Sequence, residues 1–159
     1  MGKPVVYIDG KEGTTGLQIY DRLAGREDIQ LLLIDEDKRK DASERKRLMN
    51  EADLVFLGVP DAAAVEAVGL VENPATRIID ASTAHRTAPG WTYGFPELGA
   101  EQREAIRTAK RVANPGCYAT GFISLIAPLV RRGGLAPDAP LACPAASGYP
   151  GGGKKAIAQ

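Results

Sequence analysis

The feature that most constrains this 159-residue chain is a succession of short apolar runs with no polar residue between their members. Val5-Val6-Tyr7-Ile8, Leu31-Leu32-Leu33-Ile34, Leu54-Val55-Phe56-Leu57 and Ile78-Ile79 are near-continuous rather than alternating. Parallel strands covered on both faces need this pattern, because neither face can tolerate a polar residue at every second position. Four central strands are implied. The segments between them, Leu17 to Leu23, Ala42 to Asn50 and Ala62 to Val71, have helical spacing and are flanked by turn or capping residues.

Strand followed by helix, repeated, gives right-handed crossovers and an open doubly wound parallel sheet of the Rossmann type. Ligands of such a sheet bind beyond the carboxyl ends of its strands. After Asp80 the chain becomes polar and Pro/Gly-containing from Ala81 to Leu98, in the manner of an active-site loop, and is then helical from Glu101 to about Lys110. A fifth short piece, Arg111-Val112-Ala113, leads into Asn114-Pro115-Gly116-Cys117 and an apolar helix from about Tyr118 to Val130. The remainder, Leu141 to Gln159, reads as one strand, a glycine-rich stretch and a helix start.

Composition excludes several partners. Twenty basic residues balance twenty acidic ones with no block of one sign, so the footprint of a nucleic-acid or membrane-surface binder is missing. No stretch approaches the length of a membrane span, and the N-terminus has no signal-peptide core. A small-molecule ligand and a cytoplasmic location are expected. In a reducing compartment the two cysteines, Cys117 and Cys143, are expected as free thiols.

The chemistry concentrates at few positions. Gly10, Gly13 and Gly16, with Thr14 and Thr15, lie in the segment between the first strand and the first helix. There glycine permits a tight turn and close approach of the backbone to a pyrophosphate held by N–H groups. An ordinary strand-to-helix turn is the bland alternative. Past the second strand, Asp35, Glu36 and Asp37 precede Lys38, Arg39 and Lys40. An acid there accepts from a ribose 2'-hydroxyl and a base meets a 2'-phosphate, so these charges leave NAD and NADP open, and a solvated charged turn equally so.

Cys117 falls at a strand-to-helix junction, where unpaired N–H groups and the positive end of the macrodipole favour a thiolate. It is the candidate nucleophile; a small buried residue is the alternative. Cys143, with no helix start beside it, reads as structural. Arg86 presents a forked guanidinium of the kind that binds phosphate or carboxylate. His85 is the sole histidine, but no spacing pairs it with Cys117, and it is expected as a positioning or surface residue. No residue cluster suggests a metal site.

Five segments carry a family resemblance: Ile8 to Gly16, Asp80 to Arg86, Tyr93 to Glu97, Asn114 to Thr120 and Ser147-Gly148-Tyr149. Together they resemble the short-form N-acetyl-gamma-glutamyl-phosphate reductases of arginine biosynthesis, relatives of aspartate-semialdehyde dehydrogenase. The resemblance runs from Tyr7 to the last residue. It implies that Cys117 attacks the acyl phosphate of N-acetylglutamyl 5-phosphate and that NADPH reduces the resulting thioester to the semialdehyde. It further implies that Arg86 holds the substrate phosphate, that Ser147 and Gly148 lie near the nicotinamide, and that Gly10, Gly13 and Gly16 hold the diphosphate. Lys38 and Arg39 would then meet the 2'-phosphate, which selects NADP(H).

On the same resemblance, residues 1–115 form the dinucleotide-binding domain and residues 116–159 begin an incomplete α+β substrate domain. Members of the family continue further, into a sheet that supplies an acid/base histidine and often an oligomer interface. The chain is therefore expected to be a truncated form with little activity, whose full-length counterpart is a homo-oligomer. Two other readings are an aspartate-semialdehyde dehydrogenase and a non-catalytic dinucleotide-binding module. The Asp80 to Arg86 and Tyr93 to Glu97 segments weigh against the first, and the Cys117 segment against the second.

Overall fold

The computed structural model describes residues 2–11 and 13–148, with Thr14 described by its backbone alone. Six strands form one sheet in the order β2-β1-β3-β4-β6-β5, every pair parallel. They are β1 (Val5–Asp9), β2 (Gln30–Leu32), β3 (Leu54–Leu57), β4 (Arg77–Asp80), β5 (Thr92–Tyr93) and β6 (Arg111–Ala113). The helices are α1 (Thr14–Leu23), α2 (Ala42–Glu51), α3 (Asp61–Leu70), α4 (Ala100–Thr108) and α5 (Cys117–Arg131). This is the expected doubly wound α/β sheet. Because β1 lies between β2 and β3, the strand order reverses at β1, and it is beyond the carboxyl ends of the strands at such a reversal that sheets of this kind bind ligands.

Register follows burial. Tyr7 pairs with Val55 and Val55 with Ile78, so the three side chains form a row across the sheet centre. All three are buried, and with Leu48, Met49 and Ala52 from α2 and its end, Leu57, and Ala64 and Ala67 from α3 they make the core. Alanines on α3 let that helix approach the sheet closely. Asp41 starts α2 by accepting from the Ser43 amide at 2.8 Å and the Glu44 amide at 3.3 Å. Buried and half-buried residues alternate along β3 and β4, so one face of these strands is less covered than the apolar runs implied.

Two elements depart from expectation. The loop Ala81 to Leu98 contains β5, a two-residue strand with no apolar run to announce it. The strand expected after Leu141 does not form among the described residues: 141–148 make no ladder, and Cys143 is exposed rather than buried in a strand. The glycine-rich 149–153 stretch and the helix start after it lie outside the described residues. The chain divides into two compact units, Met1–Pro115 and Gly116–Gln159. Among the described residues no helix is long and apolar enough to cross a membrane, and no cluster of His, Cys, Asp or Glu is arranged to hold a metal ion.

Candidate active site

In the first unit, the turn after β1 is made of backbone packed on backbone. Gly10 has φ +81°, and a Cβ there would lie 2.6 Å from Val59 Cγ1 and 2.7 Å from the Gly58 carbonyl oxygen. A Cβ on Gly13 would sit 3.1 Å from that same oxygen, and one on Gly16 would overlap the Gly10 carbonyl. The Gly13 amide donates to the Gly10 carbonyl at 2.9 Å and closes the turn. Gly13 then caps α1 without a side chain, and no acid stands in the first turn of the helix.

A helix start capped by glycine, with no room for a Cβ at Gly10 or Gly16, suits an anion held by N–H groups. The diphosphate of a dinucleotide fits that cradle. Thr15 is exposed at the same helix start. Past β2, Glu36–Lys38 form a single 3-10 turn, with exposed Lys38 3.5 Å from Asp35 and exposed Arg39 following.

Beneath this turn lies a buried ionic group. Asp9, the last residue of β1, accepts from Arg45 Nε at 3.1 Å, from Arg45 Nη2 at 2.8 Å and from the Tyr7 hydroxyl at 3.3 Å. Burial first, then the neighbouring Asp9 charge, pushes the Tyr7 phenol well above its usual range.

At the carboxyl end of β4, Asp80 is fully buried and collects three donors. The Ser82 amide lies at 2.9 Å, the Ser82 hydroxyl at 2.6 Å and His85 Nδ1 at 2.6 Å. The His85 ring stacks on Trp91 with centroids 4.1 Å apart. His85 is thus a buried positioning residue that pins the loop. Asp61 at the start of α3 accepts from both the amide and the hydroxyl of Thr83, and these bonds, the hydroxyl's foremost, hold its carboxyl below the usual range. Fixed between these anchors, half-buried Arg86 donates from Nε to the Asn114 carbonyl at 3.2 Å. Asn114 in turn donates its amide to the Asp80 carbonyl at 2.7 Å.

In the second unit, Cys117 is the first residue of α5, exposed and free. Gly116 caps this helix without a side chain, and its carbonyl accepts the Thr120 amide at 2.9 Å and the Thr120 hydroxyl at 2.8 Å. Cys117 lines an apolar groove of about 420 Å³ with Phe122, Leu125, Leu141 and Cys143 among its walls. Ser147 is hydrogen-bonded to the Tyr118 hydroxyl, and Gly148 is exposed beside it.

Residues 6–109 match the family described as semialdehyde dehydrogenase, NAD binding domain. The chain belongs to this family. Its first unit is therefore a nicotinamide-dinucleotide domain of the semialdehyde dehydrogenase family. Over 99% of its length it is 55% identical to N-acetyl-gamma-glutamyl-phosphate reductase 2 of Pseudomonas putida and 55% identical to the reductase of Trichormus variabilis, of which it covers 50% and 49%. The reductase of Burkholderia lata is 53% identical over the same share. The chain spans about half the length of these curated relatives.

Aspartate semialdehyde dehydrogenase II of Vibrio cholerae, solved with ASA, shares the fold at TM-score 0.61 and 16% identity, over 82% of this chain and 43% of that one. The enzyme of Francisella tularensis matches equally, at TM-score 0.61 and 16% identity, over 82% and 41%.

Several residues of this semialdehyde dehydrogenase domain were not singled out from sequence. Gly58 closes the cradle from β3, and its only signal is a glycine directly after an apolar run. Gly94 lets the polar loop run against β6: its amide donates to Ala113 at 2.8 Å, and a Cβ there would lie 2.9 Å from Val112 Cγ1. Arg45 had a readable signal. Spaced with Leu48, Met49 and Ala52 at i, i+3, i+4 and i+7, it stands on the apolar stripe of α2.

Proposed function

We propose that the chain carries the cofactor site and the nucleophile of an NADP-dependent acyl-phosphate reductase, acting on N-acetylglutamyl 5-phosphate in arginine biosynthesis. The observation that carries this reading is Cys117: a free, exposed thiol opening a helix whose cap has no side chain. The reductase names of relatives at 53–55% identity support the substrate.

In the reaction, the Cys117 sulfur bonds to the acyl carbon, the carbon–oxygen bond to phosphate breaks, and inorganic phosphate leaves from a thioester. Cys117 opens α5, so the first-turn N–H groups of the helix stand beside this sulfur. Arg86, held by its bond to Asn114, meets the phosphate oxygens with the rest of its guanidinium. Gly10, Gly13 and Gly16 give the diphosphate of the cofactor its cradle, with Thr14 and Thr15 at the helix start. Lys38 and Arg39 would meet the 2'-phosphate, and Ser147 and Gly148 would lie by the nicotinamide. The bound dinucleotide supplies the hydride. Cys117 is then the leaving group, and the semialdehyde is released. Residues 1–115 and 116–159 correspond in this reading to the dinucleotide domain and the start of the substrate domain, in a cytoplasmic homo-oligomer at full length.

The test is phosphate-dependent reduction of NADP by a protein extended to the length of the relatives, offered N-acetylglutamate semialdehyde or aspartate semialdehyde. Turnover of the first and not the second, lost in Cys117→Ser, is expected. Preference for aspartate semialdehyde, or an active Cys117→Ser, contradicts the reading.

A further inference from the structure

The buried pair beneath the glycine turn is a costly way to hold a fold. Asp9 and Arg45 are both almost wholly buried, 3% and 8% exposed, and charges taken out of water regain that penalty only through close, well-directed bonds. Apolar side chains of the same volume stabilise such a place as well or better. What a paired guanidinium and carboxylate add is direction: two parallel N–H···O bonds fix the plane and angle of both groups.

Here both carboxylate oxygens are used. Arg45 Nε meets Oδ1 at 3.1 Å and Nη2 meets Oδ2 at 2.8 Å, while the Tyr7 hydroxyl donates to Oδ1 at 3.3 Å. The remaining Nη1 reaches Glu66 on α3 at 3.1 Å. One side chain on α2 therefore ties the end of β1 to α3. The residue it grips is the one directly before Gly10, and the Asp9 carbonyl accepts the Gly58 amide at 2.8 Å. Asp9 is thereby held at its side chain by Arg45 and at its main chain by Gly58, the two glycine-bearing strand ends of the cradle being joined through it.

The geometry points to Arg45 as a positioning residue of the dinucleotide site, which through its two-bond grip on Asp9 sets the turn that presents Gly10 and Gly13 to the diphosphate. This rests on the cofactor reading proposed above. Among the described residues Arg45 hydrogen-bonds Asp9 and Glu66 and none of the cradle glycines, so it acts through Asp9.

NADPH titration of the full chain, with a thermal melt of each protein, tests it. Arg45→Lys keeps the charge and most of the stem but not the planar fork. Its NADPH dissociation constant is expected to rise about tenfold, the scale on which slight misplacement of a site acts, with a melting temperature near that of the parent. Should Arg45→Lys fail to fold, the double variant Asp9→Asn with Arg45→Met decides, since it leaves no lone buried charge. That double variant is expected to recover the melting temperature lost in Arg45→Met while its NADPH affinity stays weak. NADPH affinity equal to the parent's in a folded Arg45→Lys, or restored together with stability in the double variant, overturns the inference and leaves the pair a fold-holding role. An unaltered chain that does not bind NADPH removes the cofactor reading, and this inference with it.

Discussion

Two apolar helices of this chain meet different fates. The sequence of α3, Asp61–Leu70, is apolar with Ala64 and Ala67 wholly buried against the sheet. The sequence of α5, Cys117–Arg131, is as apolar and longer, yet no residue of it is buried, and Tyr118, Phe122, Leu125 and Leu129 are largely exposed. The same contrast holds between the units: every buried residue described belongs to the first, and none to the second. The unit that bears Gly10, Gly13 and Gly16 has a core of its own, whereas the unit that bears Cys117 presents apolar surface of the kind proteins bury against other chain. Gly10 and Cys117 thus rest on supports of unequal strength.

Substitutions can break this contrast. The largest effect belongs to chemistry: in a protein extended to the length of the relatives, Cys117→Ser lowers phosphate-dependent NADP reduction by at least about 10³-fold and leaves NADPH affinity unchanged, as steady-state rates and titration would report. In the first unit, Leu57→Ala, at a side chain 0% exposed, costs about 3 kcal/mol in urea unfolding. Gly10→Ala costs at least about 2 kcal/mol, because an L side chain is unfavourable at φ +81° and its Cβ meets Val59, and it abolishes NADPH binding in the same titration.

Alkali gives a graded test. The Tyr7 phenol is raised in the folded chain, so its contribution to stability is complete below the unfolded value near pH 10. Above that pH the unfolded chain loses the Tyr7 proton and the folded chain keeps it, which removes about 1.4 kcal/mol per pH unit. Tyr7→Phe flattens that part of the stability profile above pH 10. The smallest effect sharpens the contrast: Leu125→Ala in α5, at a residue 72% exposed, changes stability by less than about 0.5 kcal/mol, and a cost like that of Leu57→Ala would mean that α5 is supported as α3 is.

Much of the first unit was legible because its signals are local. β1, β3 and β4 follow from runs of consecutive apolar residues, and the cradle from three glycines between a strand and a helix. β5 was not legible: Thr92 and Tyr93 pair with β6 because Gly94 permits close approach, and no period in the loop announces that. The strand expected around Leu141 had apolar residues but acquires no ladder partner among those described. The anchors Asp80–His85 and Asp9–Arg45 join residues through space, the second across 36 positions, and hydrophobic pattern, which places Arg45 on the apolar stripe of α2, does not name its partner. His85 could be read only as a positioning or surface residue until its bond to Asp80 and its stack on Trp91 decided between them. Local pattern fixes elements; buried polar pairs appear only when elements meet.

The most direct measurement is a calorimetric titration of this chain with NADPH and, separately, NADH. A first unit with its own core and a glycine-built cradle predicts saturable one-to-one binding of NADPH, tighter than NADH and weakened when Lys38 and Arg39 are both changed to alanine. Failure of the folded chain to bind either dinucleotide contradicts the account.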